Sequence, residues 1–299
     1  MDRTKACGVI CSVMLAALAP IGVSCGKKLK APLVVGSKNF TEQVVLGEII
    51  AQHLERRLGV TVTRRLNLGG TLLTYQALLS GEIGIYPEYT GTIVSEILKE
   101  PIAKDAAQVL ALSRQELARI ARTEVLDPLG IDNTFAMVIR GEDARKFNIS
   151  TLSEAALVKP GWKLGVGYEF QSRMDGLPAL NSYHLNMAAA PRSMDLGLLY
   201  KALEQGQVTM IAANATDGPL GSHDWTILRD DKNAFGSYQA CILARQDVLA
   251  SDFKIRVALE ELSGKFTNAI MRKLDAAVDI EHRRVPEVAA EFLTQAGLR

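Results

Sequence analysis

The segment Gly36-Ser37-Lys38-Asn39-Phe40-Thr41-Glu42-Gln43 leaves a short apolar strand (Leu33, Val34, Val35) and enters a helical pattern. Later, Tyr86-Pro87-Glu88-Tyr89-Thr90-Gly91-Thr92 leaves a second apolar strand, at Ile83 and Ile85, and does the same. Each loop places polar groups at the carboxyl end of a strand, where open α/β sheets bind ligands. The two loops therefore read as one wall of a small-molecule cleft.

Outward from these loops, strand and helix patterns alternate, the signature of α/β architecture. Asn39, with Glu42 three residues on, reads as a variant capping box. Val45, Ile49, Ile50 and Leu54 then recur at helical spacing until Gly59. Residues 60–66 alternate as a strand, and Asn67-Leu68-Gly69-Gly70-Thr71 turns into a helix that Thr71 can cap. Residues 90–124 read as helical and largely solvated, broken near Pro101. A new set begins at Phe135-Ala136-Met137-Val138-Ile139, with strands at 163–166, 208–213 and 225–228. Met194, Leu198, Leu199 and Leu203 form a helical core stripe, and residues 252–299 read as helical. The expectation is a discontinuous first lobe, 32–134 plus 240–299, with a second lobe, 135–239, inserted in it. Two crossings make a hinge that permits closure over a ligand.

The start of the chain reads differently. Arg3 and Lys5 precede an apolar run, Val9 to Val23, too short to span a membrane, which is the pattern of a secretory signal over residues 1–24. Gly22-Val23-Ser24-Cys25-Gly26 resembles a bacterial lipoprotein processing site, with Gly22 where leucine is usual. Cys25 is then the lipidated residue and 25–31 a tether; an ordinary signal with an incidental cysteine is the alternative. Cys7 and Cys11 leave with the signal, so Cys241 has no disulfide partner and reads as a small buried hydrophobe. The formal net charge of +1 argues against nucleic acid as a partner.

Catalytic signatures are sparse. His53, His184, His223 and His282 show no zinc spacing, and neither a Gly-x-Ser-x-Gly elbow nor a phosphate loop is present. His53 and His282 read as solvated surface. Glu42 and Glu88 could form a carboxylate pair, although capping and turn roles are commoner for such residues. No metal or cofactor is expected, and an enzyme that has reused this fold is the less favoured class.

The two opening segments, with Leu68-Gly69-Gly70-Thr71, Asp127-Pro128-Leu129-Gly130, Glu169-Phe170 with Arg173, and Thr216-Asp217-Gly218, resemble substrate-binding proteins of quaternary-amine ABC transporters, the glycine betaine, choline and carnitine family. The resemblance runs in order through the chain beyond the leader. It implies a two-lobed periplasmic binding fold of type II, a ligand cleft between the lobes, no catalysis, and partnership with a permease and its ATPase. The protein is expected to be a monomer, exported, periplasmic or held to the cell envelope by lipid. A quaternary ammonium has no N–H to donate and is held by aromatic faces, each contact contributing about 0.5–2 kcal/mol. By the family pattern, Tyr89, Phe135 and Tyr238 are cage walls, Phe135 standing where tyrosine is usual. Gln43, Thr92 and Asn133 are polar contacts, and Arg173 is the group for a ligand carboxylate. Asn214 stands where the family often has tyrosine, so the cage is depleted. That departure points to a subgroup of osmoprotectant-binding proteins, or to a bulkier betaine such as ergothioneine.

Overall fold

The computed structural model describes residues 32–298, apart from Lys104, Pro160 and Ser222. The expected signal segment and Cys25 lie outside the described residues. Among those described, no helix is long and apolar enough to cross a membrane.

Two five-stranded sheets organise the chain. The first contains β1 (Leu33–Gly36), β2 (Val62–Arg65), β3 (Ile85–Tyr89) and β4 (Thr123–Val125), and β10 (Ala240–Arg245) returns to it late in the sequence. The second contains β5 (Phe135–Arg140), β6 (Leu164–Val166), β7 (Arg192–Ser193), β8 (Met210–Asn214) and β9 (Trp225–Leu228). The orders are β2-β1-β3-β10-β4 and β7-β6-β8-β5-β9. In each sheet three strands run parallel and the last two pairings are antiparallel. Each sheet is thus a separate lobe, with its own apolar clusters on both faces.

Two antiparallel segments join the lobes. Asp132 bridges Gln239, and Asn133 N donates to Tyr238 O at 3.1 Å. The Asp132 carboxylate clamps the second segment, accepting from Tyr238 N at 2.7 Å and Ser237 Oγ at 2.8 Å. Asn268 ties the backbone of Asp132 to the C-terminal helices through bonds of 2.9 and 2.8 Å. The crossing is therefore hydrogen-bonded backbone rather than loose linker.

Several local expectations change. Helix α1 (Thr41–Leu58) has Phe40 at its N-cap with no side-chain cap, so Asn39 and Glu42 form no capping box. Glu42 instead turns inward. Helix α2 (Thr71–Ser80) is capped neither by Thr71 nor by Gly70; Thr71 N donates to Glu169 Oε1 of the other lobe at 3.2 Å. Residues 90–95 are buried rather than solvated, because they follow β3 under the cleft, and β4 closes a region expected to be helical. His53 is fully buried, its Nε2 2.9 Å from Glu261 Oε2, because C-terminal helices cover the outer face of α1. In the stripe near residue 200, Leu199 and Leu203 are core while Leu198 is 55% exposed. Cys241 is buried, as expected, and burial pushes its thiol pKa up.

Candidate functional site

Glu42 lies in the first turn of α1 and is only 2% exposed. Its Oε1 accepts the Tyr89 hydroxyl at 2.5 Å and Asn133 Nδ2 at 3.1 Å, while Oε2 has no partner. The Thr216 hydroxyl, from the second lobe, stands close enough to favour the anion but outside strict hydrogen-bond geometry. Burial dominates nonetheless and raises the Glu42 carboxyl above its ordinary range, against the nearby Thr216 hydroxyl and the hydrogen bonds from Tyr89 and Asn133. Gln43 is fully buried beside it; its Oε1 accepts Lys38 N at 3.3 Å and its Nε2 is unpartnered. Asn133 Oδ1 is unpartnered too.

One resident cation already uses the Tyr89 ring. Lys38 Nζ sits 4.7 Å from its centroid and 5.7 Å from that of Phe40, and pairs with Glu88 Oε1 at 2.5 Å. A second resident cation lies toward the other lobe. The Arg173 guanidinium is 5.3 Å from the Phe135 centroid and grips Asp175 through Nε at 2.9 Å and Nη2 at 2.5 Å. Burial would raise the Asp175 carboxyl, but Arg173 holds it below the ordinary value. Asp175 also accepts from Ser95 Oγ at 2.9 Å and from the Tyr238 hydroxyl, while Arg173 Nη2 reaches Thr92 Oγ1 at 3.4 Å. These contacts link the two lobes through side chains buried from water. For a solute carboxylate, only Nη1 of Arg173 is without a hydrogen bond, with Glu169 3.9 Å away.

The rings divide into two groups. Phe135 meets Phe170, Phe235 and Tyr238 at centroid distances of 4.9, 5.9 and 5.8 Å, all edge-on. Tyr89 pairs instead with Phe40 at 6.3 Å. Phe135 and Tyr238 are thus together while Tyr89 stands apart, beside Glu42 and Gln43. Phe170 and Phe235 were not among the expected site residues. The signals available were the position of Phe170 at a helix start and that of Phe235 just before the second crossing. Asn214 ends β8 opposite Phe135 in the sheet register. Its amide donates to Asp217 Oδ1 at 3.2 Å, so the polar group that replaces a ring is held by its own loop. Between the lobes, beside the crossings, a cleft of about 740 Å³ is lined by Phe135, Phe235, Met174, Asp175, Glu96 and Glu100 among others. Of the eight expected contact residues, it reaches Phe135 alone.

Behind Glu42 lies a set of carboxylates. Asp217 is pushed up to about 6 by burial, although Asn214 and Tyr200 donate to it. Asp275, 3% exposed with Oδ1 unpartnered, is raised well above its ordinary range by burial and by the charges of Glu42, Asp217 and Asp279. Asp279 accepts from Thr41 Oγ1 at 2.6 Å. Among the described residues, no three His, Cys, Asp or Glu side chains are arranged to hold a metal.

Two lobes joined by paired crossings, with buried polar groups and rings converging between them, define a solute-binding protein of the periplasmic type. Residues 31–295 match the family of substrate-binding domains of ABC-type glycine betaine transport systems, and the chain belongs to that family. It is the substrate-binding component of such a transport system and not an enzyme. The chain is 34% identical over 279 residues to the glycine-betaine-binding protein of Pseudomonas aeruginosa, covering 89% of this chain and 88% of that one. It is 31% identical over 268 residues to the ergothioneine transport permease/ergothioneine binding protein EgtU of Helicobacter pylori, covering 89% of this chain and 48% of the relative, about half its length. A solved glycine betaine/carnitine/choline ABC transporter structure superposes with a TM-score of 0.78 at 25% identity, covering 89% of this chain and 99% of that one.

Proposed function

We propose that the protein captures a quaternary ammonium osmoprotectant, glycine betaine, choline or a related betaine, between its lobes and delivers it to a permease driven by an ATPase. The observation that carries this reading is a group of buried polar atoms without partners. At the lobe crossing, Glu42 Oε2 and Asn133 Oδ1 would be offset by the positive charge of a quaternary ammonium, and Gln43 Nε2 can donate to a solute carboxylate or hydroxyl. A buried polar atom left unpaired costs about 1–3 kcal/mol, so such a group is retained where a ligand restores the loss. Phe135 and Tyr238, with Phe170 and Phe235, supply the aromatic surface, and Tyr89, Thr92, Arg173 and Asn214 complete the surround. The lobes, 32–134 with 240–299 and 135–239, turn about the two crossings as the solute enters. The protein works outside the cytoplasm as a monomer, held to the envelope by lipid on Cys25.

A second reading, ergothioneine or a betaine of similar bulk, is favoured by one observation. The position opposite Phe135 is the amide of Asn214, smaller than the tyrosine usual in the family, which leaves room for a bulkier solute and keeps an amide oxygen there to accept from it. The named H. pylori relative supports it. A melting-shift screen with glycine betaine, choline, carnitine and ergothioneine separates the two. Ligand at a hundred times Kd stabilises the folded state by about 2.7 kcal/mol. A shift with the first three supports the main reading, a shift with ergothioneine alone supports the second, and silence toward all four sinks both.

A further inference from the structure

The buried carboxylate Glu42 has no role in the cage expected from the sequence, and its capping role is absent from the structure. Its surroundings are unusual for a carboxylate. From its own helix come Thr41 and Gln43; from β3 comes the Tyr89 hydroxyl; from the first crossing, Asn133. From the loop after β8 come Thr216 and Asp217, and from the helix Asn268–Asp279 come Asp275 and Asp279. Of the nearby bases, Lys38 pairs with Glu88, while Arg272, whose Nε donates to Ala215 O at 2.9 Å, forms no ion pair with these carboxylates. Among the described residues, neither Glu42, Asp217, Asp275 nor Asp279 has a salt-bridge partner. Four carboxylates from both lobes thus converge without a base ion-paired to any of them. Two of them, Glu42 and Asp275, keep an oxygen free of hydrogen bonds, and Asn133 Oδ1, more than nine-tenths buried, is free beside Glu42.

A buried anion without a partner is costly, and it either binds a proton or finds a cation. In the empty protein the proton is the available choice, and burial raises Glu42, Asp217 and Asp275 in that direction. A permanently charged solute supplies the alternative. We propose that Glu42 is the counter-charge of the bound quaternary ammonium, so that capture of the solute expels a proton from the Glu42–Asp217–Asp275 group. This rests on the quaternary-amine reading above and adds a residue that the aromatic-cage pattern omits. The exchange is balanced: the ammonium enters, the carboxyl O–H bond breaks, and the proton leaves to the buffer. Because the groups share one field, the proton belongs to the set rather than to one oxygen. Of the set, Glu42 is the one hydrogen-bonded to the crossing, through Asn133.

The test is calorimetric titration of the whole protein with choline and with glycine betaine, neither of which changes protonation between pH 5 and 8. The titrations are made in buffers of different ionisation enthalpy. Proton release appears as an observed heat that depends on the buffer, with affinity falling up to about tenfold per pH unit on acidification through the group's titration. Glu42→Gln keeps the side-chain shape and is expected to abolish the buffer dependence and to weaken binding at pH 8 by tenfold or more. Asp275→Asn is expected to shrink the buffer dependence with a smaller loss of affinity. Buffer-independent heats in the wild type, or a Glu42→Gln protein with unchanged affinity and pH profile, overturn the proposal while leaving the quaternary-amine reading intact. Failure of the wild type to bind either amine overturns both.

Discussion

Replacing Asp175 by asparagine keeps the shape of the side chain and removes one charge from a place that water does not reach. Asp175 accepts from Arg173 twice, from Ser95 and from Tyr238, and Arg173 itself is 8% exposed. In the variant the guanidinium stays buried; Glu169 stands 3.9 Å from Nη1 but is largely exposed, and the better-buried Glu96 stands 4.0 Å from Nε. Removing one partner of a buried pair costs about 3–5 kcal/mol, because the other charge is left uncompensated. Glu96 offsets a part, so about 3 kcal/mol is expected. For a domain of this size that is a fall in melting temperature of roughly 6–12 °C. Urea unfolding of the wild type, Asp175→Asn, Arg173→Met and the double variant measures it. The double variant should lose much less than the sum of the two single losses, with a coupling energy of more than about 1 kcal/mol. A loss below about 1 kcal/mol with additive single variants would show that water screens the pair, and the lobe contact built on it would fall with it.

Three further outcomes follow from the same geometry. The buried Asp217 carboxyl titrates at about 6 in the folded chain against 3.8 in the unfolded one, so its folded form binds the extra proton between those values and loses stability as pH rises through them. The stability of Asp217→Asn relative to wild type should therefore rise by about 2.5 kcal/mol between pH 4 and 8, and a flat difference in urea titrations would contradict the burial of that charge. At Gly70, an added Cβ would lie 2.1 Å from Glu169 Oε1, so Gly70→Ala should push that carboxylate off the N-terminus of α2. Loss of this bond across the cleft should weaken solute binding by up to about tenfold, with stability nearly unchanged, as measured by titration beside thermal melting. Asn214→Tyr restores a ring opposite Phe135 and should tighten glycine betaine relative to ergothioneine; an unchanged ratio of affinities would show that position 214 does not set the choice.

Much of the fold was legible because its signals are local. The loops after β1 and β3 follow apolar strands directly, and the change of character at Phe135 coincides with the first strand of the second sheet. What escaped depends on distant partners. β4 is three residues long and follows at once on the helix Ala106–Ala121, so no period of two has room to show. β10 reads as a plain apolar run, and only its pairing with β3 and β4 makes it a strand. His53 looks like a surface residue on α1 until the C-terminal helices cover that face. The Asn39–Glu42 spacing suits a capping box equally well whether or not the glutamate reaches back, and here Tyr89 and Asn133 claim it. Residue types at the site were readable, but their partners were not. Nothing in the sequence near Tyr89 says that Lys38 lies over its ring, or that Asp175 holds Arg173.

Equilibrium dialysis of the purified protein against labelled glycine betaine and choline, at neutral pH and over a range of concentrations, reports directly on capture of a quaternary ammonium. Saturable binding of at least one of them, one solute per chain, recovered chemically unchanged, is the expected result. No retention of either, or retention that does not saturate, would contradict it.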